Sequence, residues 1–128
     1  MQSLSKIALL VSDYDEALDY YVGTLGFDLI EDTDMGGGKR WVVVCPSAGG
    51  CALLLAKAKN PEQQAAVGQQ TGGRVFLFLD TQDFDGDYQR YTEMGVDFIE
   101  EPRKEDYGKV VVFRDLYGNL WDLVGRGQ

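Results

Sequence analysis

Apolar and polar residues follow a pattern that occurs twice along the chain, and each occurrence predicts a strand, a helix and three further strands. The first half begins with an apolar strand that ends at Val11, followed by a helix that Asp13 caps and Gly26 ends. The second half begins with a strand over residues 74–79, followed by a helix over residues 83–94. The other predicted strands cover residues 27–31, 41–45, 51–56 and 96–100, with a hairpin over residues 110–124. This order predicts an α+β fold made of two βαβββ modules.

A segment rich in Gln, Ala and Gly separates the two halves, with a short helix expected after Asn60. The predicted divisions are a first module over residues 1–58, a connection over residues 59–72 and a second module over residues 73–128. A shift of about 68 residues places Lys6 on Arg74 and Leu54 on Asp122. Identity across this shift is poor, so two ordinary α+β halves without a repeat are the alternative interpretation.

The last hairpin contains an acidic residue in an otherwise apolar strand. Its turn, over residues 115–119, contains Gly118 and Asn119, which tolerate positive φ and can reverse the chain. Asp122 then lies between Trp121 and Leu123. A buried carboxylate costs roughly several kcal/mol unless a cation, a metal or hydrogen bonds compensate it. The pattern therefore predicts a partner for Asp122.

The composition narrows the classes of function. With 128 residues, of which 45% are hydrophobic, the chain can form one compact domain or two small modules that share a core. Twelve basic and 21 acidic residues give a net charge of −9, so we expect no nucleic-acid partner. The chain has no histidine, which removes the most usual metal ligand and the most usual general base at neutral pH.

The cysteines and the apolar runs indicate where the protein works. Cys45 and Cys51 are interpreted as reduced thiols of a cytoplasmic protein, and no histidine can activate either one as a nucleophile. The apolar run over residues 7–11 is far too short for a membrane span or a signal peptide. We therefore expect a cytoplasmic location and no membrane partner.

Several segments together resemble the vicinal oxygen chelate superfamily, which holds glyoxalase I, ring-cleaving dioxygenases, fosfomycin-resistance enzymes and bleomycin-resistance proteins. The resemblance is carried by residues 6–13, 17–21, 24–27, 113–119 and 121–123. It covers nearly the whole chain and implies two βαβββ modules whose curved sheets enclose a cavity, usually in a homodimer. It does not select one reaction, because this fold hosts several chemistries.

The resemblance also implies where a divalent ion would bind. The four ligand positions of metal-dependent members fall on Lys6, Leu54, Arg74 and Asp122. Only Asp122 has a suitable donor atom, since lysine and arginine are cationic donors and leucine has none. We therefore expect no metal and no cofactor. Instead, Lys6 and Arg74 would neutralise Asp122, either as a structural cluster alone or with one positive charge left for a carboxylate or phosphate on a ligand.

Side-chain alternation extends the candidate ligand site. Either Trp41 or Val42 should face the cavity from the third strand, and Tyr107 is a further polar candidate. The predicted ligand-binding residues are Lys6, Ala8, Trp41, Leu54, Arg74, Phe76, Phe78, Tyr107 and Asp122. The alternative interpretation is that the aromatic members of this set only fill the core.

The first functional hypothesis is a metal-free protein of the bleomycin-resistance type that holds a small molecule in the cavity between its modules. The acidic composition would suit a cationic drug. The alternative is a metal-dependent lyase, isomerase or dioxygenase, and a third class is a structural or regulatory protein whose cavity is vestigial. In the enzyme alternative, oxygen ligands would come from Glu31, Asp32, Asp34, Glu100, Glu101, Glu105 and Asp106. A metal-free acid-base enzyme with Lys6 or Tyr107 as the base is a further alternative, and no residue is assigned a catalytic role.

Overall fold

A computed structural model describes all residues of the chain, 1–128. The chain has an α+β fold, as predicted, and divides into two compact units, Met1–Val67 and Gly68–Gln128. Each unit contains one β-sheet and short helices, consistent with the predicted βαβββ modules. None of the helices has the length and apolar character that a membrane span requires.

The first unit carries a four-stranded sheet. Its elements are β1 (Lys6–Val11), α1 (Tyr14–Leu18) with a following π-helical turn (Asp19–Thr24), β2 (Asp28–Gly36), β3 (Lys39–Cys45), β4 (Ala52–Lys57) and α2 (Pro61–Ala66). The strands lie in the order β1-β4-β3-β2, with β1 and β4 parallel and the other neighbours antiparallel. This order brings the end of β1, the end of β4 and the start of β3 together.

Helix α1 begins where the sequence predicts. The Asp13 carboxylate accepts a hydrogen bond from the backbone N–H of Glu16 at 2.9 Å. The helix then widens into its π-helical turn, in which the backbone N–H of Leu25 donates to the Tyr20 carbonyl at 2.9 Å. Gly26 ends the segment with φ of 79°.

Strand β2 forms one edge of the first sheet. All nine of its residues are exposed, although it pairs with β3 along its length. Apolar Leu29 and Ile30 lie among acids such as Glu31 and Asp32. An edge strand with free backbone N–H and C=O groups can pair with another chain, and charged side chains along it oppose such pairing.

The second unit carries a second sheet and one longer helix. Its elements are β5 (Val75–Asp80), α3 (Phe84–Glu93), β6 (Asp97–Phe98), β7 (Arg103–Glu105), β8 (Gly108–Arg114) and β9 (Leu120–Arg126). The main strand order is β5-β9-β8-β6, and β7 also pairs with β8. Helix α3 begins at its predicted N-cap, because the Asp83 carboxylate accepts a hydrogen bond from the Gly86 N–H at 3.1 Å.

The second unit differs from the prediction between α3 and the last hairpin. The strand predicted over residues 96–100 is reduced to the two residues of β6, and β7 lies where a loop was expected. In both cases β8 supplies the pairing, with Asp97 opposite Arg114 and Arg103 opposite Val110. Residues 103–105 are charged and show no apolar alternation, so only their pairing with β8 makes them a strand.

An aromatic stack forms the core of the second unit. The Phe113 ring lies 5.7 Å from that of Trp121, and 6.0 Å from those of Tyr91 and Phe98. Phe113 and Trp121 lie opposite each other in β8 and β9, and Tyr91 comes from α3. Helix α3 therefore covers this face of the sheet, and alternation places Asp122 on the other face.

Asp115 closes the turn between β8 and β9. Its side chain is buried and accepts hydrogen bonds at 3.0 Å each from the backbone N–H of Tyr117, the backbone and side-chain N–H of Asn119, and the indole N–H of Trp121. Gly118 adopts positive φ as predicted, whereas Asn119 does not. Asn119 serves the turn through its hydrogen bonds to Asp115.

Candidate functional site

A pocket of about 610 Å³ opens in the first unit, where β4 ends and β3 begins. Its lining comes from β1, the start of α1, β3, β4, the turn between β2 and β3, and the residues around the start of α2. We call it the first-unit pocket. Its size is that of a site for a small organic molecule.

The strand register gives this pocket an apolar wall. Leu10 lies opposite Ala56 in the parallel pair, and Leu54 precedes Ala56 by two residues, so the three side chains share one sheet face. Trp41 lies on the same face, because Val43, two residues further along β3, is opposite Leu54. Of the two residues considered on β3, Trp41 lines this pocket and Val42 is buried on the other face.

Arg40 organises the polar side of the pocket. Its guanidinium contacts the carboxylates of Asp15 at 2.8 Å and Asp32 at 2.7 Å, and lies over the Tyr14 ring, 5.1 Å from the centroid. Hydrogen bonding to Arg40 holds the pKa of Asp32 below its ordinary value, and the two carboxylates raise the pKa of Arg40. The charge of Arg40 is thus neutralised by the protein itself, and the contacts join the β2–β3 hairpin to α1.

The other charged residues that line the pocket are Lys39, Lys57 and Lys59, which we call the lysine rim. Gln63 holds the start of α2 beside this rim, because its side-chain carbonyl accepts a hydrogen bond from the Lys59 backbone N–H at 3.0 Å. An apolar wall with a tryptophan and a few polar groups at the opening is the usual makeup of a small-molecule site.

The second unit holds a polar cluster on the sheet face away from α3. The Asp122 side chain is half-buried, and its Oδ1 is buried without a hydrogen-bond partner. Burial raises the pKa of Asp122, an effect that Arg103 opposes and Glu100 reinforces. Glu100 accepts hydrogen bonds from the Val112 N–H at 3.1 Å and from Arg103 at 3.0 Å, and Arg103 also contacts Glu105 at 2.7 Å. Asp122 can therefore accept or, when protonated, donate a hydrogen bond to a polar group.

The prediction that Arg74 approaches Asp122 is wrong. A β-bulge between Val75 and Leu77 changes the register, so that Phe78 lies opposite Asp122. Arg74 lies four residues before Phe78, on the order of 10 Å along the strand. The cation that acts on Asp122 within its own unit is Arg103, which belongs to the unpredicted strand β7.

The other predicted ligand-binding residues lie at several separate places in the two units. Lys6 and Ala8 are exposed on β1, on the same face as Leu10. On β5, Phe76 is half-buried and Phe78 is 66% exposed beside Asp122. Tyr107 lies in the turn before β8, far along the hairpin from Asp122, and the Arg126 guanidinium lies 5.7 Å from its ring centroid. Trp41 and Leu54 are thus the predicted pair that the first unit brings together.

The donor groups of the chain do not fit the divalent ion that the metal-dependent members of the resembled superfamily bind. Leu54 belongs to an apolar wall, and Lys6 and Arg74 are cations. No three Asp, Glu or Cys side chains converge as metal ligands anywhere in the structure. Three of the seven acids considered as alternatives form ion pairs within the chain, as Arg40 binds Asp32 and Arg103 binds both Glu100 and Glu105.

The lysine rim and Arg103 are the site residues that sequence reasoning missed. Lys57 and Lys59 flank Ala58 at the end of β4, and Lys39 follows the glycines of the β2–β3 turn. The alternating lysines were the available signal, but their approach to Lys39 depends on β4 lying beside β3. The pairing of β3 with β4 is seen only in the folded sheet and could not be predicted from the local sequence.

Comparisons with known proteins agree with this architecture. Residues 3–123 match the profile of the Glyoxalase/Bleomycin resistance protein/Dioxygenase superfamily. An uncharacterized protein from Shewanella frigidimarina is 58% identical over 125 residues, which cover 96% of this chain and 93% of that protein.

Solved structures show the same fold at moderate identity. The crystal structure of UcmS2 is similar to this chain with a TM-score of 0.83 and 30% sequence identity. The similarity covers 97% of this chain and 98% of the UcmS2 chain. TnmS3, an antibiotic binding protein from Streptomyces sp. CB03234, is similar with a TM-score of 0.80 and 31% sequence identity. The similarity covers 99% of this chain and 98% of the TnmS3 chain.

Proposed function

Because this chain belongs to the glyoxalase/bleomycin resistance protein/dioxygenase superfamily, we propose that it binds a small organic molecule without a metal and holds it without chemical change. The observation that carries the proposal is the first-unit pocket, with its apolar wall and its half-buried tryptophan. TnmS3, a similar structure at 31% identity, is an antibiotic binding protein, which supports a ligand of antibiotic type.

The groups in the pocket suit binding and not a reaction. Leu10, Leu54 and Ala56 offer apolar surface, and the Trp41 ring offers a flat face on which a planar ligand can stack. Tyr14 and Arg40 are already engaged with each other, and the guanidinium is held by two carboxylates. Burial of apolar ligand surface supplies the affinity in this proposal, and the polar groups at the opening set the orientation.

Tryptophan fluorescence tests the proposal, because the two tryptophans of the chain lie in different surroundings. Trp41 lines the pocket, whereas Trp121 is 3% exposed in the core of the second unit. A panel of planar aromatic molecules, antibiotics included, should contain members that quench Trp41 and raise the melting temperature. Trp41→Ala should weaken their binding about tenfold, since loss of an aromatic anchor typically costs 1–2 kcal/mol.

Two controls make this test specific. Met94→Ala changes an exposed apolar residue of the second unit and should leave the affinity unchanged. Melting curves of chelator-treated protein with nickel, zinc, manganese and iron should not shift. A stoichiometric metal that raises the melting temperature would favour a metal-dependent lyase, isomerase or dioxygenase instead. A panel without a single binder would contradict the proposal.

We also propose a cytoplasmic location and a homodimer. The free thiols of Cys45 and Cys51 support a reducing compartment. Exposed Leu29 and Ile30 on β2 support a contact between two copies. Light scattering behind a sizing column should give twice the chain mass of 14.2 kDa. Ile30→Lys should shift the protein toward the monomer, with Met94→Lys as the matched control, and a monomeric parent protein would contradict the proposed dimer.

The module boundaries also remain a proposal, with residues 1–58 and 73–128 as modules and 59–72 as their connection. The α2 helix within this connection lies against β1, which supports a close association of the connection with the first module.

A further inference from the structure

The first-unit pocket is positively charged in a strongly acidic chain. The net charge of the protein is −9, yet Lys39, Lys57 and Lys59 line the pocket and no Asp or Glu does. Arg40 adds no positive charge, because Asp15 and Asp32 both hold its guanidinium and the three side chains together carry one net negative charge beside the pocket. The pocket thus concentrates three cations around an apolar wall.

The lysine rim is held in place by regular structure. Lys39 is the first residue of β3, Lys57 is the last residue of β4, and Lys59 precedes the N-cap of α2. None of the three ammonium groups forms a salt bridge within the chain. Their donors are therefore available to a ligand that enters between them.

Two acids of the β2–β3 hairpin lie near the pocket but outside its lining. Asp32 binds Arg40, and Asp34 accepts a hydrogen bond from the Gly36 N–H at 2.8 Å, within the β2–β3 turn. Neither of them lines the pocket. Because the rim lacks internal counterions, a bound anion would supply the missing negative charge at no cost in broken ion pairs.

We propose that the first-unit pocket selects an organic anion, in which a planar apolar body packs against Trp41 and a carboxylate, sulfonate or phosphate group meets the lysine rim. This inference rests on the proposed function and names the ligand class of the same site. It also replaces the cationic drug that the overall acidic composition suggested, because the charge that a ligand meets is that of the pocket lining and not that of the whole surface.

A matched pair of fluorescent probes tests the inference. Anilinonaphthalene sulfonate is an aromatic anion, and N-phenylnaphthylamine is nearly the same molecule without the sulfonate. Both should bind and quench Trp41, and the anion should bind about tenfold more tightly, since each exposed ion pair contributes a few-fold in affinity. Added salt should weaken binding of the anion and leave the uncharged probe unaffected.

Charge variants locate the effect at the rim. The triple variant Lys39→Gln, Lys57→Gln, Lys59→Gln should bind the anionic probe about tenfold more weakly and keep its affinity for the uncharged probe. The variant Lys104→Gln, Lys109→Gln, Arg114→Gln removes the same total charge from the second unit and should bind both probes as the parent does. Arginine at the three rim positions should restore anion binding.

The outcomes separate the two proposals. Equal affinity for the two probes, or unchanged anion binding by the rim variant, overturns the anion inference and leaves small-molecule binding intact. If neither probe binds or quenches Trp41, the proposed function itself fails at this pocket. A rim variant that melts at the parent temperature and still binds the uncharged probe shows that its loss of anion binding is not a folding defect.

Discussion

At the scale of single residues, Asp122 is a partly buried carboxylate that lacks a hydrogen-bond donor for one of its oxygens. Its Oδ1 is buried without a hydrogen-bond donor, and Arg103, the nearby cation, is already bound by Glu100 and Glu105. A buried acceptor without a partner costs about 1–3 kcal/mol. Burial dominates the electrostatic balance at this residue, so the charged form of Asp122 destabilises the folded state.

This balance predicts how stability depends on pH. Because the pKa of Asp122 is raised on folding, its cost is present in full above the folded-state pKa and disappears as the pH falls from there toward the unfolded-state pKa. Asp122→Asn should therefore increase the free energy of unfolding by about 1 kcal/mol at pH 7, with a smaller gain in acid. Urea denaturation at several pH values measures this.

The control for this prediction is Asp80→Asn, an exposed acid on the neighbouring strand β5. It should change stability by less than about 0.5 kcal/mol. If Asp122→Asn lowered stability at pH 7, the attraction between Asp122 and Arg103 would outweigh the cost of burial.

At the scale of elements, the β8–β9 hairpin depends on one side chain. The Asp115 carboxylate accepts hydrogen bonds from the indole N–H of Trp121 and from N–H groups of its own turn. The Trp121 ring also stacks on Phe113. The carboxylate thus links the turn to the aromatic core of the second unit. Its burial is compensated by hydrogen bonds, in contrast to that of Asp122.

Asp115→Ala should lower the free energy of unfolding by about 3 kcal/mol, because it leaves the buried N–H groups of Asn119 and Trp121 without an acceptor. Asp115→Asn keeps one acceptor oxygen and should cost roughly half as much. Chemical denaturation followed by circular dichroism gives both values. Equal losses for the two variants would show that the charge, and not the number of acceptors, holds the turn.

The elements also show what the sequence could predict. Helices α1 and α3 begin at Asp13 and Asp83 as expected, because a cap is a local arrangement of a side chain and the next three residues. The bulge before Leu77 and the short strand β7 were not predictable, since both are defined by their pairing with another strand. Arg74 was expected beside Asp122 from the repeat and the resemblance, whereas the folded sheet places Arg103 of β7 near Asp122.

At the scale of the whole molecule, composition proved a poor guide to the candidate site. A net charge of −9 favoured a cationic ligand, whereas the pocket of the first unit is lined by three lysines and no acid. The fold class and the family were predictable, because they depend on the order of elements and on motifs spread along the chain. Two of the predicted ligand-binding residues, Trp41 and Leu54, line the first-unit pocket, and the ligand-binding role of the whole predicted set stays a prediction.

The exposed edge strand β2 sets how the protein behaves in bulk solution. Beyond the proposed dimer contact at Leu29 and Ile30, its acidic side chains oppose pairing with further copies, and the sequence pI is about 4.3. Near that pH the net charge of the protein approaches zero, so repulsion between molecules is weakest and the exposed strand edge can pair in open-ended association. Mildly alkaline buffers are therefore the conditions in which the protein stays colloidally stable at high concentration.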